Sequence, residues 1–190
     1  MPMKITFELS DSDLDHFREV MVRSRETSAH LSETEIIENA RTLLYEVWHS
    51  ETSDFIRERM HRLETMIGMV VDEGWALEDE DRSRALLALS YFSEPEDLIP
   101  DNIPGLGFLD DAIMIDMVAE EMEHEIHAYR DFCVFRAAEA SQSSEAALSA
   151  ERSEWLEERR QQLHSRMRRR RRRGSGSGGS SGKGSSFSLF

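Results

Sequence analysis

Apolar residues in this chain alternate with polar ones at the start and then, for most of its length, recur every third or fourth position. Residues 4–9, KITFEL, alternate Ile5, Phe7 and Leu9 with Lys4, Thr6 and Glu8, the period of a short half-buried strand. Ser10 to Asp13 supply N-cap chemistry for a helix with Leu14, Phe17 and Met21 on one face. In LSETEII, Ser32 and Glu35 form a capping box and Leu31 is placed to staple onto Ile36. The second helix carries Ile36, Ile37, Ala40, Leu43, Leu44, Val47 and Trp48 on one stripe. Ser53 restarts the chain into a third helix, with Ile56, Met60, Leu63, Ile67, Val70 and Val71 on its stripe and Gly74 as its stop.

Asp79 or Asp81 caps a fourth helix, RALLALSYF, whose apolar side chains surround the axis and place it inside a bundle. The pattern breaks over residues 93–113, SEPEDLIPDNIPGLGFLDDAI. Pro95, Pro100 and Pro104 fix φ and discourage helix just before each of them, and Pro104–Gly105 suits a type II turn. Leu98, Ile99, Ile103, Leu106 and Leu109 are placed to pin this corner to the core. Asp110 and Asp111 sit where negative charge favours the start of a fifth helix, expected to run to about residue 139. ASQSSE then interrupts the pattern, and a charged sixth helix follows over 144–167 with sparse apolar positions at Leu148, Trp155, Leu156 and Leu163. The expected fold is therefore all-α. A compact multi-helix bundle occupies residues 1–140, with a short N-terminal strand. The charged helix and a disordered basic, Gly/Ser-rich tail over 168–190 complete the chain.

The corner carries a second signal. In DLIPDNIPGLGFLDD, the residues Asp97, Leu98, Ile99, Pro100, Asp101, Ile103, Pro104, Gly107, Phe108, Leu109, Asp110 and Asp111 stand at fixed spacings, preceded by ALLALSYF. This stretch resembles the YkvA-like domain of unknown function over about residues 82–122. The resemblance implies a helical hairpin closed by a rigid turn. It brings no established catalytic activity, and it brings membrane association in many members. Glu94 and Glu96 stand where that family favours apolar residues, and Asn102 replaces a usual aromatic, which counts against a membrane role here.

Charge changes the picture more than overall composition does. The 190 residues are 39% hydrophobic and 32% charged, enough for one bundle. The net charge of -15 is divided unevenly: residues 166–190 contain seven arginines, Lys183 and no acid, so they carry +8 and leave -23 on residues 1–165. One cysteine, Cys133, excludes an internal disulfide and fits a reducing, cytoplasmic compartment. The N-terminus lacks the layout of a secretion signal, and no stretch has the length and apolarity of a membrane span.

Candidate chemistry is sparse. Asp97, Asp101, Asp110 and Asp111 offer oxygen ligands to a hard divalent metal such as Mg²⁺ or Ca²⁺, although turn and capping roles account for each aspartate alone. Glu-x-x-His, the spacing used in di-iron bundles, occurs at Glu46/His49, Glu58/His61 and Glu121/His124. The first two pairs fall opposite their apolar stripes and are expected in solvent. Glu121 and His124 interrupt the stripe formed by Ile113, Met117, Ala128, Phe132 and Phe135. That leaves a buried polar pair, a helix leaving the body at that point, a metal ligand pair or a proton-transfer pair. No cofactor is assigned.

The arginines Arg166, Arg168, Arg169, Arg170, Arg171, Arg172 and Arg173 cannot pack together, so they bind anions or stay solvated. The leading expectation is a non-catalytic interaction or adaptor protein. Its basic tail engages nucleic acid, anionic lipid or a protein, or folds back on the acidic body, and the terminal FSLF serves as a docking peptide. A rival places a ribbon-helix-helix-like DNA-binding homodimer over residues 4–48, reading bases through Lys4, Thr6 and Glu8, with a long loop at 23–31. A metal-binding bundle is the third reading.

Overall fold

A computed structural model describes residues 6, 8–93, 99, 103, 106–142 and 149–176. Seven helices and one 3-10 turn cover most of them: α1 (Asp11–Ser28), α2 (Glu33–Trp48), α3 (Asp54–Val71), α4 (Asp79–Leu89), the turn Ser90–Ser93, α5 (Leu109–Glu121), α6 (Glu123–Gln142) and α7 (Ser149–Gly176). The expected all-α bundle is what folds. Among the described residues there is no strand, and Lys4, Ile5 and Phe7 lie outside them.

The local signals work as read. At α1 the Ser10 N–H donates to Asp13 at 2.8 Å, and at α2 the Ser32 N–H donates to Glu35 at 2.7 Å, each closing a capping box. Ser53 caps α3. Gly74 lies beyond the end of that helix, where its N–H donates to the Asp72 carboxylate at 2.9 Å. α4 departs from expectation. Glu78 takes the N-cap without a side-chain bond, and Asp81 turns inward to a position that is 1% exposed.

α3 is the axis of the bundle. It packs on α2, α4, α5 and α6 and buries Ile56, Met60, Leu63, Met66, Ile67, Met69 and Val70. Gly68 lets α6 come close, since a Cβ there would stand 3.2 Å from the Tyr129 hydroxyl. Methionine fills much of the interior: Met21, Met60, Met66, Met69, Met114, Met122 and Met167 are each at most 1% exposed.

The long helix expected from about 110 to 139 is two helices. The break falls at Met122, which is fully buried and has φ -99 and ψ 18. Glu120, Glu121, Glu123 and Glu125 crowd this point, and like charges a turn apart weaken a helix. Burying Met122 between them leaves α5 on α3, while α6 packs on both α3 and α7.

A second correction concerns α1. It continues to Ser28, so residues 23–28 are helical rather than part of a loop. The buried Ser28 hydroxyl donates to the Ser90 carbonyl at 3.2 Å and ties α1 to the 3-10 turn.

Candidate anion-binding face on the last helix

The largest departure from the sequence expectation is at the arginines. The last helix was expected to end at 167, with a disordered tail after it. α7 instead runs unbroken to Gly176, so all six consecutive arginines are helical. Three causes act together. Arginine is a good helix former, cations favour a helix C-terminus, and Leu163 and Met167 anchor the preceding turns in the core.

The helix has two sides. On the inner side, His164 lies edge-on to Trp75 at 4.2 Å between ring centroids, and Trp75 also contacts Tyr129 and Phe132 of α6. Earlier along α7, the Arg159 guanidinium stacks on Phe135 at 3.9 Å and Trp155 meets the same ring. Arg168 pairs with Glu78. Arg171 reaches furthest: it pairs with Asp81, contacts Glu125 at 3.0 Å and Glu80 at 3.5 Å, and shares Glu125 with Arg84, which sits at 2.8 Å. Asp81 and Glu125 are each 1% exposed. Burial opposes the charge on Arg171, yet its bonds to the two carboxylates hold its pKa above the ordinary value. Burial likewise lowers the pKa of His164, reinforced by Arg168 and Arg160 and opposed by Glu78 and Asp81.

On the outer side, Arg166, Arg169, Arg170 and Arg173 are exposed and lie side by side with Gln162 on the open face of the helix. At about 100° per residue they fall within an arc of about 100°, opposite Arg168 and Arg171. Among the described residues none of the four forms an ion pair. Arg172 is exposed at the margin.

A neighbouring hub holds the platform under α7. Asp72, at the end of α3, accepts from the Trp75 N–H at 3.3 Å, the Tyr129 hydroxyl at 3.1 Å and Arg136 at 2.8 Å. Burial raises its pKa, but the Arg136 guanidinium and these hydrogen bonds outweigh burial and leave it below the usual carboxylate value. Tyr129 is pushed well above its ordinary pKa, chiefly by burial and then by Cys133 and Asp72.

The corner residues fare differently. Asp97, Leu98, Pro100, Asp101 and Pro104 lie outside the described residues. Ile99 donates its N–H to the Asp110 carboxylate at 2.9 Å, which ties the corner to the start of α5. Asp110 and Asp111 are buried there, and Gly107 is buried with them. Phe108 pins the corner, at 4% exposure and in the left-handed conformation with φ 64. Ile103 and Leu106, expected in that role, are 38% and 46% exposed, and Leu109 is half-buried. Among the described residues no group of three or more His, Cys, Asp or Glu is placed to hold a metal ion.

Glu121 and His124 fall on either side of the break at Met122, both half-buried. The buried acid of this region is Glu125, which the sequence reading passed over. A signal for it existed. Glu125 shares a face with Met122, Tyr129 and Phe132, so it is an acid on an apolar stripe. Glu46, His49, Glu58 and His61 are exposed, as expected.

The front end gives no specific support to the DNA-reading dimer. Thr6 and Glu8 are exposed outside any strand, and the apolar face of α2 is already covered by α3, α4 and the 3-10 turn.

Comparison with known families addresses the middle of the chain. A family model described as protein of unknown function (DUF1232) matches residues 82–115. This segment is similar to that family. It covers α4 from Arg82 on, the 3-10 turn, the corner and the first half of α5, and is consistent with the YkvA-like resemblance over about residues 82–122. Its first turn supplies Arg84, the partner of Glu125, and Asp81 immediately precedes it. No curated protein and no solved structure matches the chain. Among the described residues no helix is long and apolar enough to cross a membrane.

Proposed function

We propose that this chain is a cytoplasmic, non-catalytic interaction protein in which the DUF1232-bearing bundle is a scaffold and α7 presents an arginine face to an anionic partner. The observation that carries the reading is the division of the arginines into two sets. Arg168 and Arg171 are neutralised by the body, while Arg166, Arg169, Arg170 and Arg173 remain on the open side. A row of guanidinium groups whose backbone is already fixed loses less freedom on binding than a loose tail would, and each fork suits a planar or tetrahedral anion. The compartment is read from Cys133, a single free thiol.

Retention on a sulfated polyanion resin tests the proposal. A protein of net charge -15 is repelled by such a resin unless a local basic face engages it. The full chain is expected to be held at low salt and released as salt rises. Replacing the four outer arginines with glutamine is expected to abolish retention. Flow-through of the unmodified protein at low salt would overturn the reading.

A further inference from the structure

We infer that the outer arginine row takes the phosphate backbone of duplex nucleic acid, contacted along one strand without reading the bases. This rests on the proposed anion-binding face and narrows it. Three observations select the ligand.

The first concerns apolar surface. A helix that lies on a membrane presents an apolar face to it, with basic residues on the other side. In the arginine half of α7 the apolar residues are Leu163 and Met167, and both are buried against the body at 5% and 1% exposure. The face turned outward is arginine and glutamine.

The second concerns aromatic residues. Single strands are held by bases stacked on aromatic side chains. Between Gln162 and Gly176 the one aromatic ring is His164, which is 4% exposed and already lies against Trp75. Unstacked bases find no aromatic platform there, which favours a backbone whose bases are paired away.

The third concerns rigidity. The pairs of Arg171 with Asp81 and Glu125, and of Arg168 with Glu78, fix the rotation of α7. Arg166, Arg169, Arg170 and Arg173 therefore form a straight row about 10 Å long at 1.5 Å rise per residue. Measured along the duplex axis, the phosphates of one strand advance about 3.4 Å per step, so a row about 10 Å long comes within side-chain reach of about three of them. A regular, stiff anion gains most from a regular, stiff row, whereas an acidic peptide would have to be ordered first. The body carries -23 and repels the rest of the duplex, which confines contact to the row and keeps binding weak. The slope of log K against log salt is then about -3, from roughly three neutralised phosphates.

The test compares full-length protein with two variants that lose the same charge. One is Arg166→Gln, Arg169→Gln, Arg170→Gln, Arg173→Gln. The control is Arg18→Gln, Arg23→Gln, Arg41→Gln, Arg130→Gln, on α1, α2 and α6. Each is titrated across a salt series with duplex DNA, duplex RNA, a single-stranded oligothymidylate, phosphatidylserine vesicles and a polyglutamate peptide. The expected result is duplex binding with a slope of about -3, unaffected by sequence, at least roughly tenfold weaker in the outer-row variant with the slope falling towards zero, and little changed in the control. Tighter binding to the single strand, the vesicles or the peptide than to duplex, lost in the outer-row variant, would overturn the duplex assignment and leave the anion-binding face standing. Equal weakening in both variants would also overturn it, since net charge alone would then explain binding. Binding of none of these probes would remove both.

Discussion

α3 and α7 both pack along α6, and the contrast between them is instructive. α3 has 18 residues, seven of them buried apolar side chains facing four other helices. α7 has 28 residues, yet its arginine half is seated by Leu163, His164 and Met167 together with the pairs made by Arg168 and Arg171. Apolar burial is non-directional and does not itself depend on protonation. Charge pairing depends on geometry, on both partners and on protonation. α3 is therefore expected to report on the whole fold, and α7 on its own docking.

The largest effect expected is from Leu63→Ala in α3. It removes a fully buried side chain and is expected to cost about 2–5 kcal/mol. Thermal unfolding followed by circular dichroism should shift down as one transition. If only one segment loosened, α3 would not be the axis.

Next is Arg171→Ala, which leaves Asp81 without its partner and Glu125 with Arg84 alone. Breaking a buried pair costs about 3–5 kcal/mol, and the quarter exposure of Arg171 discounts this to about 2–3 kcal/mol. Hydrogen exchange should accelerate across α7 well before α3. Uniform acceleration in both would erase the contrast drawn above.

The smallest effect is expected from acid. His164 has a pKa below its ordinary value, so the unfolded or undocked state binds the extra proton first. Docking of α7 is then strongest above about pH 6.5 and weakens as pH falls towards the lower folded value. The charged groups facing His164 are Glu157, Arg160 and Arg168 on α7 and Glu78 and Asp81 from the start of α4. Exchange in α7 should rise between about pH 7 and 5.5, corrected for intrinsic rates, and His164→Gln should flatten that rise. Asp72 acts in a lower window. Its depressed pKa contributes stability that is complete above its unfolded value near 3.8 and is lost on further acidification.

The sequence disclosed whatever depends on near neighbours. The caps at Ser10, Ser32 and Ser53 rest on bonds three residues apart, and the stripes of α2 and α3 rest on helical period. The start of α5 was legible as well, since Asp110 and Asp111 stand in its first turn. What stayed hidden depends on partners far along the chain. Arg171 meets Asp81 across 90 residues and Glu125 across 46. Read alone, six arginines look like a solvated tail, and Asp81 looks like a cap. The break at Met122 was hidden for a related reason: periodicity continues through it, and the crowded glutamates around it become decisive only with Met122 buried.

The methionine interior has a chemical consequence. Oxidation to the sulfoxide turns a flexible apolar side chain into a polar one, and a thioether at 1% exposure or less is shielded until its surroundings part. Peroxide would therefore mark the order of opening as a chemical record: Met167 on release of α7, Met122 on separation of α5 from α6, and Met60 only when the bundle itself comes apart.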